Sequence, residues 1–588
     1  MMKRNHIYKT VLGLAIAALT LTACTDEWDD HYNSLAVGQQ EGNLWEAIQR
    51  DPNLSNFASV VKACGYDKSL ASSQVFTVFA PTNDCLSAEE ANQLIAAYNE
   101  EKGKVNDDDN TTVKEFLQNH MTLYNHSVSS LSNDTIVLMN GKYAYITPDA
   151  IDGNKFLSSN LHYENGVLYT LGNQVKFFSN LFEYMRKDNE LDSVRSFFYN
   201  NMYYRKEFLA EQSVPGGIVD GKTVYLDSVF IQQNDLFDGE FLDARINSED
   251  STYLMIVPTN QEWKKMVDEY TDYFIYDNNV PDRDSLAYTN TRMAIMKGTV
   301  FSRTFNKEVA MQDSAMSTNC IMNYNYRRSM WGADSLHYYE YYKPYAADGA
   351  LSGATPIECS NGTMLKSNNW KIDKEQTFHQ IRIIEAENMR NVREVSTVKN
   401  SAGDDEPTVA AIIRPVPNIF ETAPDSLQNN PYYNVISNNR FVEFEPQRTT
   451  VNPWVSFNIT NVLSNIGYDI YLITAPATAY DWSATAIQKL PTLIRCTVSH
   501  HDIEGKTVED ELCDRVETNP EGVNALLLAE NFKFPVASFG LEEDEPQVTL
   551  KVETRVTSSQ LRSNKYTRTM RVDCILLKPH EDKSMSNN

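Results

Sequence analysis

The chain repeats itself, and that limits its fold more than any other feature. Asn43-Leu44-Trp45-Glu46 returns as Asn180-Leu181-Phe182-Glu183, each opening a helical pattern in which Asn is the expected N-cap. Phe76-Thr77-Val78-Phe79-Ala80-Pro81-Thr82-Asn83-Asp84 is echoed by Tyr253-Leu254-Met255-Ile256-Val257-Pro258-Thr259-Asn260-Gln261. Each reads as an apolar strand ended by Pro, with Thr or Asn placed to cap a following helix. Asn165-Gly166 between apolar runs is matched by Asn361-Gly362, and Asn-Gly is a strong hairpin signal. The three landmarks recur 137, 177 and 196 residues on, so the second copy gains 40 residues before its box and 19 more before its Asn-Gly step. A repeat of this length means a string of domains; 588 residues suggest three or four at about 150 each.

The first box, a helical Phe116-Leu117-Gln118-Asn119-His120 after it and the closing Asn165-Gly166 together resemble the fasciclin domain. The match is specific over 43–178 and degenerate over 179–375, where no His takes the place of His120. The resemblance implies a small α+β sandwich or wedge edged by helices, a role in adhesion or binding, and no catalytic residues, so the chain is expected not to be an enzyme. His120 shares one helical face with Val113, Phe116, Leu117 and Met121, which predicts an imidazole in the core with a hydrogen-bonded partner.

From residue 376 to 588 the pattern turns to short β runs: Ile381 to Glu387, Phe441 to Phe444, Trp454 to Ile459, Tyr468 to Ile473, Leu493 to Val498, Val548 to Val556 and Met570 to Leu577. This spacing predicts an all-β sandwich or jelly roll. Ile384-Glu385-Ala386-Glu387 and Arg440-Phe441-Val442-Glu443-Phe444 resemble the first strands of galactose-binding-like jelly rolls, which include many carbohydrate-binding modules. In some of those an acidic strand holds structural calcium, which makes Glu385 and Glu387 metal-ligand candidates against the alternative of a solvated edge. Asn400 to Asn434 is expected to be a long loop.

The second copy also carries an aromatic run, from which Trp331, Tyr338, Tyr339, Tyr341 and Tyr342 are the ligand-binding candidates. Amphipathic rings stack on sugars or fill protein hot spots. The alternative is that alternate rings pack into their own domain.

At the amino terminus, Lys3, Arg4 and Lys9 precede an apolar run from Val11 to Leu21 that is too short to span a bilayer, so residues 1–23 read as a secretory signal. Leu21-Thr22-Ala23-Cys24 resembles the bacterial lipobox, which implies Cys24 as the lipidated first residue of the mature chain. Within the acidic tether 24–42, Asp26, Glu27, Asp29 and Asp30 resemble the surface-export signal of lipoproteins in glycan-foraging diderm bacteria. The implied address is the outer membrane, lipid-anchored and facing outward. Seven cysteines remain, too widely spaced for a disulfide framework or zinc knuckle.

A net charge of −27 sets the chain against nucleic acid. Gly216-Gly217-Ile218-Val219-Asp220-Gly221-Lys222-Thr223 fits the phosphate-loop pattern, but a helix-like stretch, Ser196 to Glu211, precedes it and a strand follows, the reverse of the order such a loop needs. His500-His501-Asp502 reads as a polar turn without further metal ligands. These features predict a lipid-anchored surface binding or adhesion protein, accessory to an outer-membrane glycan-uptake system. Its partner would be a glycan or an outer-membrane transporter or lipoprotein. The alternatives are a hydrolase of extracellular polymers working with paired carboxylates, and a purely structural envelope scaffold.

Overall fold

The structure, a computed structural model, describes residues 40–581 apart from 106–108, 127–132, 212–213, 220–221, 228–229, 239–240, 304–314, 322–326, 329–333, 336–337, 424–425 and 542–546. Cys24, Asp26, Glu27, Asp29, Asp30 and Trp331 lie outside the described residues. Two compact units emerge: one runs to Ser179 and takes in Phe208–Val229, the other comprises Asn180–Glu207 and Phe230–Asn588.

In the first unit, Asn43 caps helix Leu44–Arg50 by accepting the Glu46 amide at 3.0 Å, and the helix buries Leu44, Ala47 and Ile48. Helix Ser55–Ala63 buries Phe57, Val60 and Val61 beside it. Helix Ala88–Glu101 starts with a Ser87/Glu90 capping box. The helices pack against a sheet of β1 (Phe76–Pro81), β2 (Met121–Leu123), β3 (Asp134–Val137), β4 (Tyr143–Ile146), β5 (Ala150–Ile151), β6 (Asn154–Tyr163) and β7 (Gly166–Leu171), in the order β2-β1-β7-β6-β5-β4-β3. β1 and β7 are parallel and buried throughout, as strands covered on both faces must be. The hairpin turn is Glu164-Asn165, one residue earlier than the Asn-Gly reading places it, and Gly166 already pairs with Phe76 and Tyr163. A Cβ at Gly166 (φ +147°) would lie 1.8 Å from the Phe76 carbonyl oxygen, so only glycine lets the strands close.

Past this sheet, β8 (Tyr204–Phe208) pairs with β11 (Phe230–Asn234), while β9 (Val214–Val219) and β10 (Lys222–Asp227) form an antiparallel hairpin of the first unit. The phosphate-loop pattern thus lies across a hairpin, with no helix after it to face a phosphate. The helix expected over Ser196 to Glu211 ends at Phe198, and its second half is β8.

Farther along the second unit come β12 (Tyr253–Pro258) and β13 (Val300–Ser302). The hairpin-forming β14 (Ala315–Ile321) and β17 (Tyr338–Tyr342) enclose the two-residue strands β15 (Arg327–Arg328) and β16 (Asp334–Ser335). After them come β18 (Thr355–Cys359) and β19 (Gly362–Ser367), and the sheet order is β13-β12-β19-β18. Tyr253 lies opposite Gly362 and Ser302, as Phe76 lies opposite Gly166 and Leu123. The two copies of the sequence landmarks therefore share strand order and register, and Thr299, just before β13, holds the place of His120.

The rest of the unit is a sandwich of two antiparallel sheets. Its strands are β20 (Arg382–Glu385), β21 (Val392–Val395), β22 (Thr397–Lys399), β23 (Asp405–Pro407), β24 (Val409–Pro415), β25 (Ile419–Ala423), β26 (Ser426–Asn429), β27 (Arg440–Pro446), β28 (Trp454–Asn458), β29 (Gly467–Thr474), β30 (Leu493–His501), β31 (Thr507–Glu517), β32 (Asn524–Lys533), β33 (Thr549–Thr554) and β34 (Met570–Pro579). One sheet runs β24-β27-β34-β29-β32 with β20 also on β34; the other runs β21-β28-β33-β30-β31. All seven runs read as strands are strands. The stretch Asn400 to Asn434 is not a long loop: it holds β23, β24 and the β25–β26 hairpin, and β26 is exposed along its whole length, so no alternation marks it.

The sequence break at 375/376 falls inside this unit, and the reason is a shared core. Phe274, Val280 and Phe378 belong to one buried cluster with Tyr468, Phe534 and Ala537 of the sandwich. Segment 271–280 is bound along its length: Ser464 donates its Oγ–H to the Asp272 carbonyl (2.7 Å) and accepts the Ile275 amide (2.9 Å). The Ala537 amide donates to Ile275 (2.6 Å), the Tyr276 hydroxyl to Phe539 (2.8 Å) and the Asn278 amide to Ile503 (3.0 Å). The expected turn at His500-His501 is instead the end of β30, where neighbouring side chains diverge: His500 meets Asp510 at 2.9 Å and His501 meets the fully buried Asp277 at 3.0 Å.

Candidate functional site

On β34, two strands follow one another along the same edge. β20 pairs with residues 574–577 and β27 with 570–572, so Asp573 sits where they meet and its carbonyl accepts the Ala386 amide at 3.0 Å. A bulge against β29 between Val572 and Cys574 keeps Asp573 buried. Into this junction come Glu385, the last residue of β20, and Glu387, in the turn that follows it. Side-chain ligand atoms of Glu385, Asp573 and Cys574 all lie within 4.8 Å of one another. The turn before β27 closes over them: Ser437 Oγ donates to Glu385 Oε1 (2.6 Å), the Ser437 amide to Asp573 Oδ2 (3.2 Å) and Asn438 Nδ2 to Glu387 Oε1 (2.9 Å). Burial, and then the charge of Glu385, push the Glu387 carboxyl up to about 7.

Glu385 and Asp573 offer carboxylate oxygens of the kind a hard cation takes, while the third group within 4.8 Å is the Cys574 thiol; Glu387 lies outside that set, its Oε2 buried without a hydrogen bond. The two sequence-named glutamates are thus brought together with a third acid, Asp573, which sequence reading missed because it lies 186 residues beyond Glu387.

Two residues before Asp573, Arg571 lies opposite Glu443 of β27. Its Nε donates to Glu443 Oε2 at 2.5 Å, and Arg414 of β24 donates through Nε (3.0 Å) and Nη2 (2.6 Å) to Glu443 Oε1, reaching Glu445 at 3.2 Å. Burial would raise Glu443, but Arg571 and Arg414 outweigh it and hold the carboxyl below its ordinary range, fixed as an anion. The Arg414 guanidinium lies over the Tyr480 ring at 4.6 Å, and Tyr480 meets Phe441 at 6.0 Å. Tyr432, Tyr433 and Tyr480 are half-buried on the same apolar patch as Phe441 and Ile436. Asn430 ties the two covering segments together by donating to the Ala479 carbonyl at 2.8 Å. Trp482, 43% exposed, is oriented by its Nε1–H bond to Glu421 at 2.7 Å. The result is a sheet face with fixed guanidinia and carboxylates beside partly exposed rings. The sequence motif Arg440 to Phe444 supplied Phe441 and Glu443 but not the face, whose other members come from β24, β34, the turn before β27 and the loop before β30.

The aromatic run of the second copy is divided by strand alternation. Tyr339 and Tyr341 on β17 are 1% exposed and belong to the interior, which corrects their assignment to a surface; Tyr342 is 73% exposed. For Tyr338 the backbone alone is described, as the first residue of β17.

Comparison with known proteins gives one family match: the fasciclin domain, over residues 52–174. The first unit thus carries a fasciclin-like α+β domain, and an all-β sandwich makes up the C-terminal region. Among solved structures, the fasciclin domain pair of the insect cell adhesion molecule Fasciclin I is 11% identical, covering 55% of this chain and 98% of that one, with a TM-score of 0.19. A CBM22-1 xylan-binding domain from Paenibacillus barcinonensis is 12% identical over 32% of this chain and 96% of its own (TM-score 0.17). A family 35 carbohydrate binding module from Clostridium thermocellum is 14% identical over 34% and 97% (TM-score 0.16). No curated protein matches the chain.

Proposed function

We propose that this protein is a lipid-anchored glycan-binding protein of the outer-membrane surface, an accessory to a nutrient-uptake system. In this reading Cys24 carries the lipid, residues 24–42 are the tether, 43–178 and 179–375 are two fasciclin-like spacers, and 376–588 is the ligand-gripping sandwich. The observation that carries the reading is the ring-and-guanidinium face. Tyr480, Tyr433 and Trp482 offer flat apolar surface for the C–H faces of a sugar, and Arg414, held by the buried Glu443, and the partly exposed Glu445 offer a donor and an acceptor for its hydroxyls. A cation at Glu385 and Asp573 would brace the junction of β20 and β27 on β34.

Affinity electrophoresis of the full chain against a panel of soluble polysaccharides tests this. Retardation by at least one polysaccharide, lost in Tyr480→Ala and Trp482→Ala with unchanged melting, is expected. Retardation unaffected by both substitutions would remove the site. A hydrolase has one observation behind it, the Glu387 carboxyl raised by burial and by the neighbouring Glu385 charge. Turnover abolished by Glu387→Gln would favour that reading over binding.

A further inference from the structure

Among the described residues, strand register sets two cysteines directly opposite each other. Cys496 of β30 pairs with Cys513 of β31. Directly opposed residues of an antiparallel pair have Cα atoms about 4.5–5.5 Å apart, inside the roughly 4.4–6.8 Å range that a disulfide spans. Both side chains therefore point to the same face, where Cys496 is fully buried in the sandwich core and Cys513 packs against it. Register shifts flank Cys496 on both sides, so this pair is the fixed point between two irregular stretches of the ladder. β31 is the edge of its sheet and eleven residues long. A long edge is the strand most in need of anchoring.

We propose that Cys496 and Cys513 are joined by a cross-strand disulfide in the exported protein, made by exchange with an oxidised dithiol oxidant, and that this bond staples edge strand β31 to the sandwich. Cys513, half-buried on the edge strand, is taken as the first nucleophile. Its thiolate attacks one sulfur of the oxidant's disulfide and displaces the other as a thiol. The Cys496 thiolate then attacks the Cys513 sulfur and expels the second oxidant thiol. One S–S bond forms and one breaks; the protein's two thiol protons and two electrons end on the reduced oxidant. Burial of Cys496 in the finished core requires the exchange to happen while the β30–β31 hairpin is still open.

Trypsin separates the two cysteines into peptides Cys496–Lys506 and Thr507–Arg515. The purified full chain, unfolded and refolded with oxidised glutathione and then alkylated without reduction, should yield these peptides joined to each other. Recovery of both peptides separately, each blocked by glutathione or alkylating reagent, would overturn the pairing. The compartment rests on the export proposed above and is read separately. Joined peptides from the refolded chain together with separate ones from cell envelopes would refute the export and leave the pairing standing. Reductant should lower the melting temperature of the oxidised wild type and leave Cys513→Ser unchanged; a Cys513→Ser chain melting with the oxidised wild type would refute the staple.

Discussion

The backbone amide of Val175 donates to Nε2 of His120 at 3.0 Å, across 55 residues of sequence. With Nε2 an acceptor, the ring proton must sit on Nδ1, which meets the Phe116 carbonyl at 2.8 Å. The imidazole is a neutral brace inside the first unit. Burial lowers its pKa to about 4, against a weaker upward effect of the Phe116 carbonyl.

Acid should therefore loosen the first unit. The unfolded imidazole takes up a proton near 6.5 and the folded one resists until about 4, so its contribution is present above pH 6.5 and lost as pH falls toward 4. The loss is on the order of 3 kcal/mol. Urea unfolding at pH 7 and pH 4.5 checks this: His120→Leu should be less stable than wild type at pH 7 and show a smaller acid-induced drop. Equal acid-induced drops in the two proteins would refute the brace.

Asn361 should be worth more than a surface turn residue. It accepts the Leu181 amide at 2.9 Å and donates to the carbonyls of Ile246 (2.8 Å) and Ser248 (2.9 Å). Asn165 does the same for Leu44, Leu70 and Ser72. Either Asn→Ala change should cost about 2–4 kcal/mol, because buried backbone groups lose their partners. A loss under about 1 kcal/mol in denaturant melts would contradict that role.

Tyr339 and Tyr342 should separate cleanly. Tyr339→Ala removes a fully buried ring and should cost about 3 kcal/mol or more, whereas Tyr342→Ala should stay within about 0.5 kcal/mol. Calorimetry on both variants decides it. A ligand-binding defect in Tyr342→Ala at unchanged melting temperature would restore part of the aromatic run as a surface site.

Calcium should stabilise the sandwich in a pH-dependent way. Without a cation, the raised pKa of Glu387 means that its contribution is full below about 4.5 and is lost as pH rises through about 7. A bound cation displaces that proton, so the rise in melting temperature on adding calcium should grow from pH 6 to pH 8. Glu385→Gln should abolish the rise. A calcium response of equal size in that variant would place the cation elsewhere.

The anchor is tested in the cell. Cys24→Ala should release the protein to soluble fractions, because in the proposed reading the acyl chains alone hold an acidic body that anionic lipid repels. Alanine at Asp26, Glu27, Asp29 and Asp30 should keep lipidation and reduce cleavage by external protease. Membrane retention of the first variant, or unchanged cleavage of the second, would refute the respective role.

What was legible in the sequence was whatever local pattern determines. The boxes gave β1 and β12, alternation gave the sandwich strands, and Glu385-Ala386-Glu387 pointed to the acidic junction. What misled was side-chain destination. Asn83 reads as a cap for the helix after its strand, yet Ser87 caps that helix, and Asn83 Oδ1 accepts the Asn56 amide at 3.0 Å in the helix before it. Asn260 likewise accepts the Ser193 amide at 2.8 Å. Asp573 and the Arg414–Glu443–Arg571 bridge were invisible because strand order, which a single sequence does not encode locally, brings them together. The register of Cys496 and Cys513, on consecutive strands, was hidden by the register shifts on either side of Cys496.

The bonding of segment 271–280 to the sandwich also decides how this chain carries a load. A protein tethered at one end and gripping a polymer at the other is pulled whenever the polymer drags. At the boundary near residue 376, that tension does not run through the covalent chain alone. The Ser464, Ala537 and Tyr276 hydrogen bonds and the packed Phe274, Phe378 and Phe539 rings act as struts in parallel with it. If the chain is anchored and binds a polymer as proposed, flow would have to shear them together before the linker could stretch, and the sandwich would answer a pull as a stiff fitting and not as a swivel.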